Sequence, residues 1–364
     1  MRWARGLAAV AIGALTLTGC GEAGTSAGAT PDETVQETAS GATTPAPPTD
    51  ATNPPAPDAL GGVHRAGSLT VTAVRCDLGA TRFDAESSSE AMTGIAVQGD
   101  RVYLTDADGR VLRFAVEELT AGTCRLSLDP TWGEDGVHTP ANEASEVSVS
   151  RTGRVLASGS VFGVESVDAG TGASITCSGA GDYVLAPDGT TGLGFFPGSP
   201  LKSISFTETS CRVEEPAPLA ASLPFAEPTV TALAYLDGGD LLVGGRFASG
   251  DRGIARIARG GKVRWTHGDG APSPQNFGWV HGVAPCGEGF CAVDTNFARL
   301  QVLGATGDWL TSVDLGETLG ITTGAWIDHL EADDQGWVWL PVGIGRDGED
   351  GADGALFVVH LDQG

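Results

Sequence analysis

Cationic side chains are scarce in this 364-residue chain, where 21 Lys and Arg stand against 46 Asp and Glu for a formal net charge of −25. Binding to a phosphate backbone needs a Lys/Arg surface, so nucleic acid is excluded as an expected partner. No Gly-x-Ser-x-Gly elbow is present to place a serine nucleophile. No Gly-x-Gly-x-x-Gly loop opens a helix, so nucleotide binding has no support. Neither Cys-x-x-Cys nor a paired-His spacing occurs, which argues against zinc. After the N-terminus no apolar run reaches the ~18 residues of a membrane span. What is abundant is glycine, at 54 residues, with 20 prolines. That composition implies many turns and few long helices, and favours an all-β fold.

The first 19 residues read as a signal peptide: Arg2 and Arg5, an apolar run from Leu7 to Leu17, then Thr18 and Gly19. Leu17-Thr18-Gly19-Cys20 resembles a bacterial lipobox. The resemblance implies that the Cys20 thiol takes a diacylglycerol before cleavage, anchoring the chain to the cell membrane by lipid alone and facing it out of the cytoplasm. Residues 20–62 contain Pro31, Pro45, Pro47, Pro48, Pro54, Pro55 and Pro57 among Ala, Thr, Gly and Ser, with no Lys or Arg. Such a segment cannot bury a core and is expected to be a disordered tether with a reach of about 35 Å r.m.s..

Residues 63–364 read as a repeating domain of short β-branched runs between Gly, Asp and Asn turns. One unit comprises Thr93 to Val97, Arg101 to Thr105, a turn at Asp106 to Gly109, Arg110 to Val116 and Cys124 to Leu128, a four-strand antiparallel meander. Comparable openings recur at Glu146, Asp182, Val230, Val280 and Asp328. The starts are about 35 to 52 residues apart, near the period of propeller blades. Six units fit, which predicts a six-bladed β-propeller. The last unit offers only Trp337 to Val342 and Ala355 to Leu361 as its later strands, so Leu69 to Cys76 is expected to complete that blade and close the ring. A pair of sandwiches is the architectural alternative.

The fourth unit runs Val230 to Tyr235, Asp237-Gly238-Gly239, Leu241 to Phe247, Gly253 to Ile257 and Gly260 to Val263. It resembles a delta-sixty-type propeller repeat. Asp168-Ala169-Gly170-Thr171-Gly172 and Gly261 to Trp265 are similar to the blade ends of quinoprotein-type propellers. A quinone-dependent sugar dehydrogenase is nevertheless disfavoured, because such Trp-bearing blade ends are too few.

With Cys20 lipidated, six cysteines remain, an even number suited to three disulfides in an exported chain. Cys286 and Cys291 flank a Gly-rich turn and are expected to bridge across a hairpin. Cys76, Cys124, Cys177 and Cys211 allow three pairings, of which 76 with 124 and 177 with 211 is preferred. Their places on outer strands of different blades set the ~7 Å Cα limit against any of them.

Residues at the start of each innermost strand surround a propeller's channel mouth. Here they are Glu146, Asp182, Glu227, Trp279, His281, Asp328 and His329. The leading expectation is a membrane-anchored binding platform that takes a protein, peptide or envelope glycan through Trp279, His281, Asp328 and His329. The rival is a metal-dependent hydrolase or lactonase with Glu146, Asp182 and Asp328 holding Ca²⁺ or another divalent ion and His281 or His329 as catalytic base. Lactonase-type propellers use such an acidic centre, but no contiguous motif of theirs occurs here. Singly, each of these residues is more often a solvated carboxylate or a hydrogen-bonded His. The acidic run Asp347 to Gly354 misses the register of a Ca²⁺ loop and reads as a solvated hairpin tip. The tryptophans, among them Trp265, Trp279, Trp309, Trp326, Trp337 and Trp339, more often pack between sheets than line a surface.

Overall fold

Alternation and turn chemistry build the sheets. In Arg101–Asp106 the run Val102, Tyr103, Leu104 is buried on both faces, and Asp106 then closes a four-residue turn onto the Gly109 N–H at 2.9 Å. Gly109 has φ 71°, a conformation that a side chain would oppose. The computed structural model describes residues 61–364 apart from 67–68, 88, 160–162, 169–173, 180, 197–198, 322–324, 347–350 and 364. The signal peptide, Cys20, the tether as far as residue 60, the 169–172 turn and residues 347–350 of the acidic tip therefore lie outside the described residues. So does the Glu227 side chain.

The fold is an all-β propeller. Four discrete four-stranded antiparallel sheets comprise residues 146–177, 182–214, 225–267 and 280–314. The expectation was six separate blades. The other strands instead form one twelve-stranded sheet. Its path runs from Ala325–Trp326 through Trp337–Gly345, Ala352–Gln363 and Leu69–Asp77 to Cys124–Leu128, Val111–Leu119, Arg101–Asp106 and Met92–Gln98. The joint is Leu69–Asp77. It pairs antiparallel with Ala352–Gln363, from Leu69 opposite Gln363 to Arg75 opposite Phe357. Its last two residues then pair parallel with Cys124 and Arg125. The N-terminal strand thus completes the final sheet as expected. Gly61–Ala66 adds a further antiparallel strand to it, so Gly61 and Gly62, assigned to the tether from sequence, belong to the sheet.

Hydrophobic cores lie between consecutive sheets. Val155 and Val167 pack with Tyr103 and Val111, and Tyr183 and Ile204 with Leu156 and Val164. Leu233 and Val243 meet Leu193, and Val280 and Ala292 meet Leu242 and Ile254. The closing strand serves two cores at once. Leu69, Val71 and Ala73 face Val293 and Leu300, while Val74 and Cys76 face Phe114 and Leu126. Trp337 and Trp339 are buried here, the latter donating its indole N–H to Asp333 Oδ2 at 3.0 Å.

All three expected disulfides form: Cys76–Cys124, Cys177–Cys211 and Cys286–Cys291, with Cα–Cα distances of 4.5, 5.9 and 5.7 Å. The distance limit weighed against the first two does not apply. Cys76 and Cys124 are register partners in the parallel pair, and Cys177 and Cys211 end and begin outer strands of neighbouring sheets. The second stitches one sheet to the next, and the first joins the two halves of the twelve-stranded sheet.

Candidate functional site

The innermost strands of the sheets converge on a central channel, and their first residues meet there. Glu146 opens Glu146–Val149, Asp182 opens Asp182–Leu185, and His281 follows Val280 at the start of Val280–Cys286. Asp328 and His329 lead into Glu331–Ala332. Two imidazole–carboxylate pairs result. His329 Nε2 lies 2.8 Å from Glu146 Oε2, and His281 Nδ1 lies 2.5 Å from Asp328 Oδ1. Trp326 donates its indole N–H to Asp328 Oδ2, and the Ser145 hydroxyl donates to Asp182 Oδ1 at 3.5 Å.

Small residues permit the first pair. Residue 94 lies on the Met92–Gln98 strand, whose sheet packs on Glu146–Val149. A Cβ on Gly94 would come within 2.8 Å of Glu146 Cα and 2.9 Å of Val147 N. A Cβ on Gly282 would stand 2.8 Å from Leu330 N and 3.1 Å from His329 C. Backbone atoms give way poorly, so both positions need glycine for the strands to approach this closely.

The aromatic side of the mouth is held from below. Buried Asp294 accepts the Gly278 and Trp279 N–H groups, each at 3.0 Å to its nearer oxygen, and pairs with Arg299. The Arg252 guanidinium sits over the Trp279 ring at 4.1 Å. His281 then lies between two indoles, 5.6 Å from Trp279 and 5.9 Å edge-on to Trp326, measured between centroids.

Burial and neighbouring charge shift the protonation of this cluster. Burial first, and the Glu146 carboxylate second, push Asp182 up to about 7. The same two causes push Glu331 up to about 8. Burial works against the His329 imidazolium, but the charge and hydrogen bond of Glu146, with the Asp328 and Asp182 charges, together outweigh it and His329 rises to about 9. Burial would raise Asp328, and its hydrogen bond with His281 together with the His329 charge holds it below the usual carboxylate range. Four carboxylates thus face two imidazoles, and the two without an imidazole partner keep their protons near neutrality.

Of the three carboxylates expected as metal ligands, Glu146 is engaged by His329 and Asp328 by His281 and Trp326. Among the described residues no group of three or more His, Cys, Asp or Glu is placed to hold a metal ion. The channel instead contains a cavity of about 50 Å³ bounded by Glu146, Ser148, His281, His329 and Glu331 at its polar end and by Val147, Leu233 and Val283 among its apolar walls. Larger grooves of about 540 and 910 Å³ lie between sheets elsewhere, around Tyr235 and around Cys76–Cys124. Neither gathers histidines. Glu331 and Ser148 were missed from sequence. Glu331 stands two residues after His329 in a strand-like run, a spacing that puts both on one face and was a usable signal.

No family model matches the sequence, and no curated protein matches it. The solved structures similar to this chain include two at low identity. A structural genomics protein of unknown function from Bacteroides thetaiotaomicron VPI-5482 is 15% identical with a TM-score of 0.51, over 80% of this chain and 76% of that one. The Myceliophteria thermophila Cps50 (Swd1) β-propeller domain is 13% identical with a TM-score of 0.40, over 72% of this chain and 95% of that one. At these identities the first speaks to fold alone, and the second is too distant to carry an argument.

Proposed function

We propose that the chain is an extracytoplasmic lipoprotein, held to the cell membrane through Cys20, whose six-bladed propeller binds a protein, peptide or envelope glycan across its channel face. The observation that carries the binding role is the aromatic and charged mouth: Trp279, His281, Trp326 and Asp328 in mutual contact, with indoles half-buried rather than packed away. Half-exposed aromatic rings beside fixed charge are the usual makings of a binding hot spot. The count of six follows from reading the twelve-stranded sheet as two blades. Its halves share only the pairs Cys76 with Cys124 and Asp77 with Arg125. Six hydrophobic clusters, one between each neighbouring pair of blades, agree with that count. The lipobox-like Leu17 to Cys20 supports the anchor, and three disulfides suit an oxidising compartment outside the cytoplasm.

One capture experiment tests both halves. The full chain is expressed in a bacterial host and cross-linked partners are recovered from the envelope, alongside a Cys20→Ser variant and a Trp279→Ala/Trp326→Ala variant. Cys20→Ser is expected to leave the membrane fraction yet keep its partner. The tryptophan variant is expected to stay at the membrane and lose its partner by at least about ten-fold. Undiminished recovery by the tryptophan variant would remove the channel face from the reading.

A further inference from the structure

We infer that the central cavity takes an alkylammonium group, the tip of a lysine side chain or of a free primary amine, with Glu146, Ser148 and Glu331 as its acceptors. The inference deepens the binding reading above and rests on it. It starts from unmet hydrogen bonds. Glu146 is 6% exposed, and its Oε2 is met by His329 Nε2 at 2.8 Å, which leaves that oxygen room for a second donor. Ser148 Oγ is buried and without a partner. The two residues are two apart on one strand and so present to one side. The Glu331 carboxyl group lines the same cavity and makes no side-chain hydrogen bond or ion pair among the described residues.

Buried acceptors left without donors are costly, by about 1–3 kcal/mol each. An ammonium offers three donors and no acceptor, which matches this set; a hydroxyl brings an acceptor of its own as well as a donor. Size points the same way. A cavity of about 50 Å³ admits only a few water-sized groups, enough for an ammonium and one or two methylenes but not for a sugar ring. Val147, Leu233 and Val283 supply an apolar wall for those methylenes. Charge agrees as well. Glu146, Glu331, His281 and His329 line the cavity, and Asp182 and Asp328 stand in the shell around these residues, so that carboxyl groups outnumber imidazoles there. A bound ammonium takes the place of the proton on Glu331, so binding releases a proton and tightens as pH rises.

The test is calorimetric titration of the full chain carrying Cys20→Ser with n-butylamine, with an acetylated lysine amide and with tetramethylammonium, at about pH 6 and about pH 8. Butylamine is expected to bind at least about ten-fold more tightly at the higher pH, with proton release, and tetramethylammonium, which has no N–H donor, is expected not to bind. Glu331→Gln and, independently, Ser148→Ala are expected to weaken butylamine at least about ten-fold. Binding of the lysine amide as well would point to a lysine of a protein partner, and its exclusion would point to a free amine. The inference falls if butylamine gives no heat at about pH 8, if tetramethylammonium binds equally, or if both variants bind unchanged. Loss of partner capture by the tryptophan variant, with no amine binding, would overturn this inference alone. Amine binding without any dependence of capture on Trp279 and Trp326 would overturn the platform alone.

Discussion

A chain lacking residues 61–77 is expected not to fold into a cooperative domain. Leu69, Val71, Ala73, Val74 and Cys76 are each at most 7% exposed, and they are divided between two cores. Burying three aliphatic side chains such as Leu69, Val71 and Val74 is worth about 1.5–3 kcal/mol each. Their loss alone approaches the whole stability of a typical domain, about 5–15 kcal/mol. The deletion also strips the partner from the edge of Ala352–Gln363 and opens the joint to Cys124–Leu128. A milder version isolates the covalent part. Cys76 and Cys124 are 48 residues apart, and removing a bridge of that span by Cys124→Ser is expected to cost about 4 kcal/mol. Thermal and denaturant unfolding followed by circular dichroism reads both. A truncated chain that still melts cooperatively within a few degrees of the intact one would refute the closing role of the strand.

Stability is expected to fall as pH rises from about 5 to about 9, opposite to the behaviour of a protein held mainly by ordinary ion pairs. Asp182 and Glu331, raised to about 7 and about 8, keep protons in the folded state that the unfolded chain releases near its usual carboxylate values. Over that interval the folded state binds more protons than the unfolded, so each step up in pH favours unfolding. His329 acts in the same sense. Raised to about 9, it contributes stability fully present below about pH 6.5 and lost as pH climbs through its folded value. On the acid side the signs reverse. Asp328 is lowered by His281 against the effect of burial, and Glu165 by its bond to His138, so their contributions vanish as pH falls through those depressed values. A maximum near pH 5 follows, with an alkaline decline on the order of several kcal/mol. Melting temperatures across that range check it. Glu331→Gln should flatten the alkaline limb, and a limb that is flat or rising in the intact chain would contradict the assigned protonation.

Much of the architecture was legible because its signals are local. The Val102 to Leu104 run, the Asp106 to Gly109 turn and its echoes along the chain, and the spare strand at Leu69 to Cys76 all declare themselves within a few residues. The Cys286–Cys291 bridge did so too, spanning one hairpin. The fusion of two meanders did not, because it depends on where the last two residues of Leu69–Asp77 find hydrogen-bond partners, a matter of twist and sheet approach rather than sequence. The site was half legible. Its residues could be named as channel-mouth residues, but which carboxylate takes which imidazole is set by the closed ring. Glu146 and His329 meet only because the 92–128 meander lies between their strands and presents Gly94 there. That pairing leaves Glu331 and Asp182 as the carboxylates without an imidazole.

The pairing of Glu146 with His329 depends on both the closed ring and the charge arrangement of the channel, so the titration of the His329 ring protons by NMR tests the account most directly. Its midpoint is expected near 9 in the intact chain. In Glu146→Gln it is expected to fall clearly below that, since burial then acts against the imidazolium with its nearest carboxylate gone and only the more weakly acting Asp328 and Asp182 opposing it. A midpoint near the usual imidazole value of about 6.5 that Glu146→Gln leaves unmoved would contradict the channel site as described.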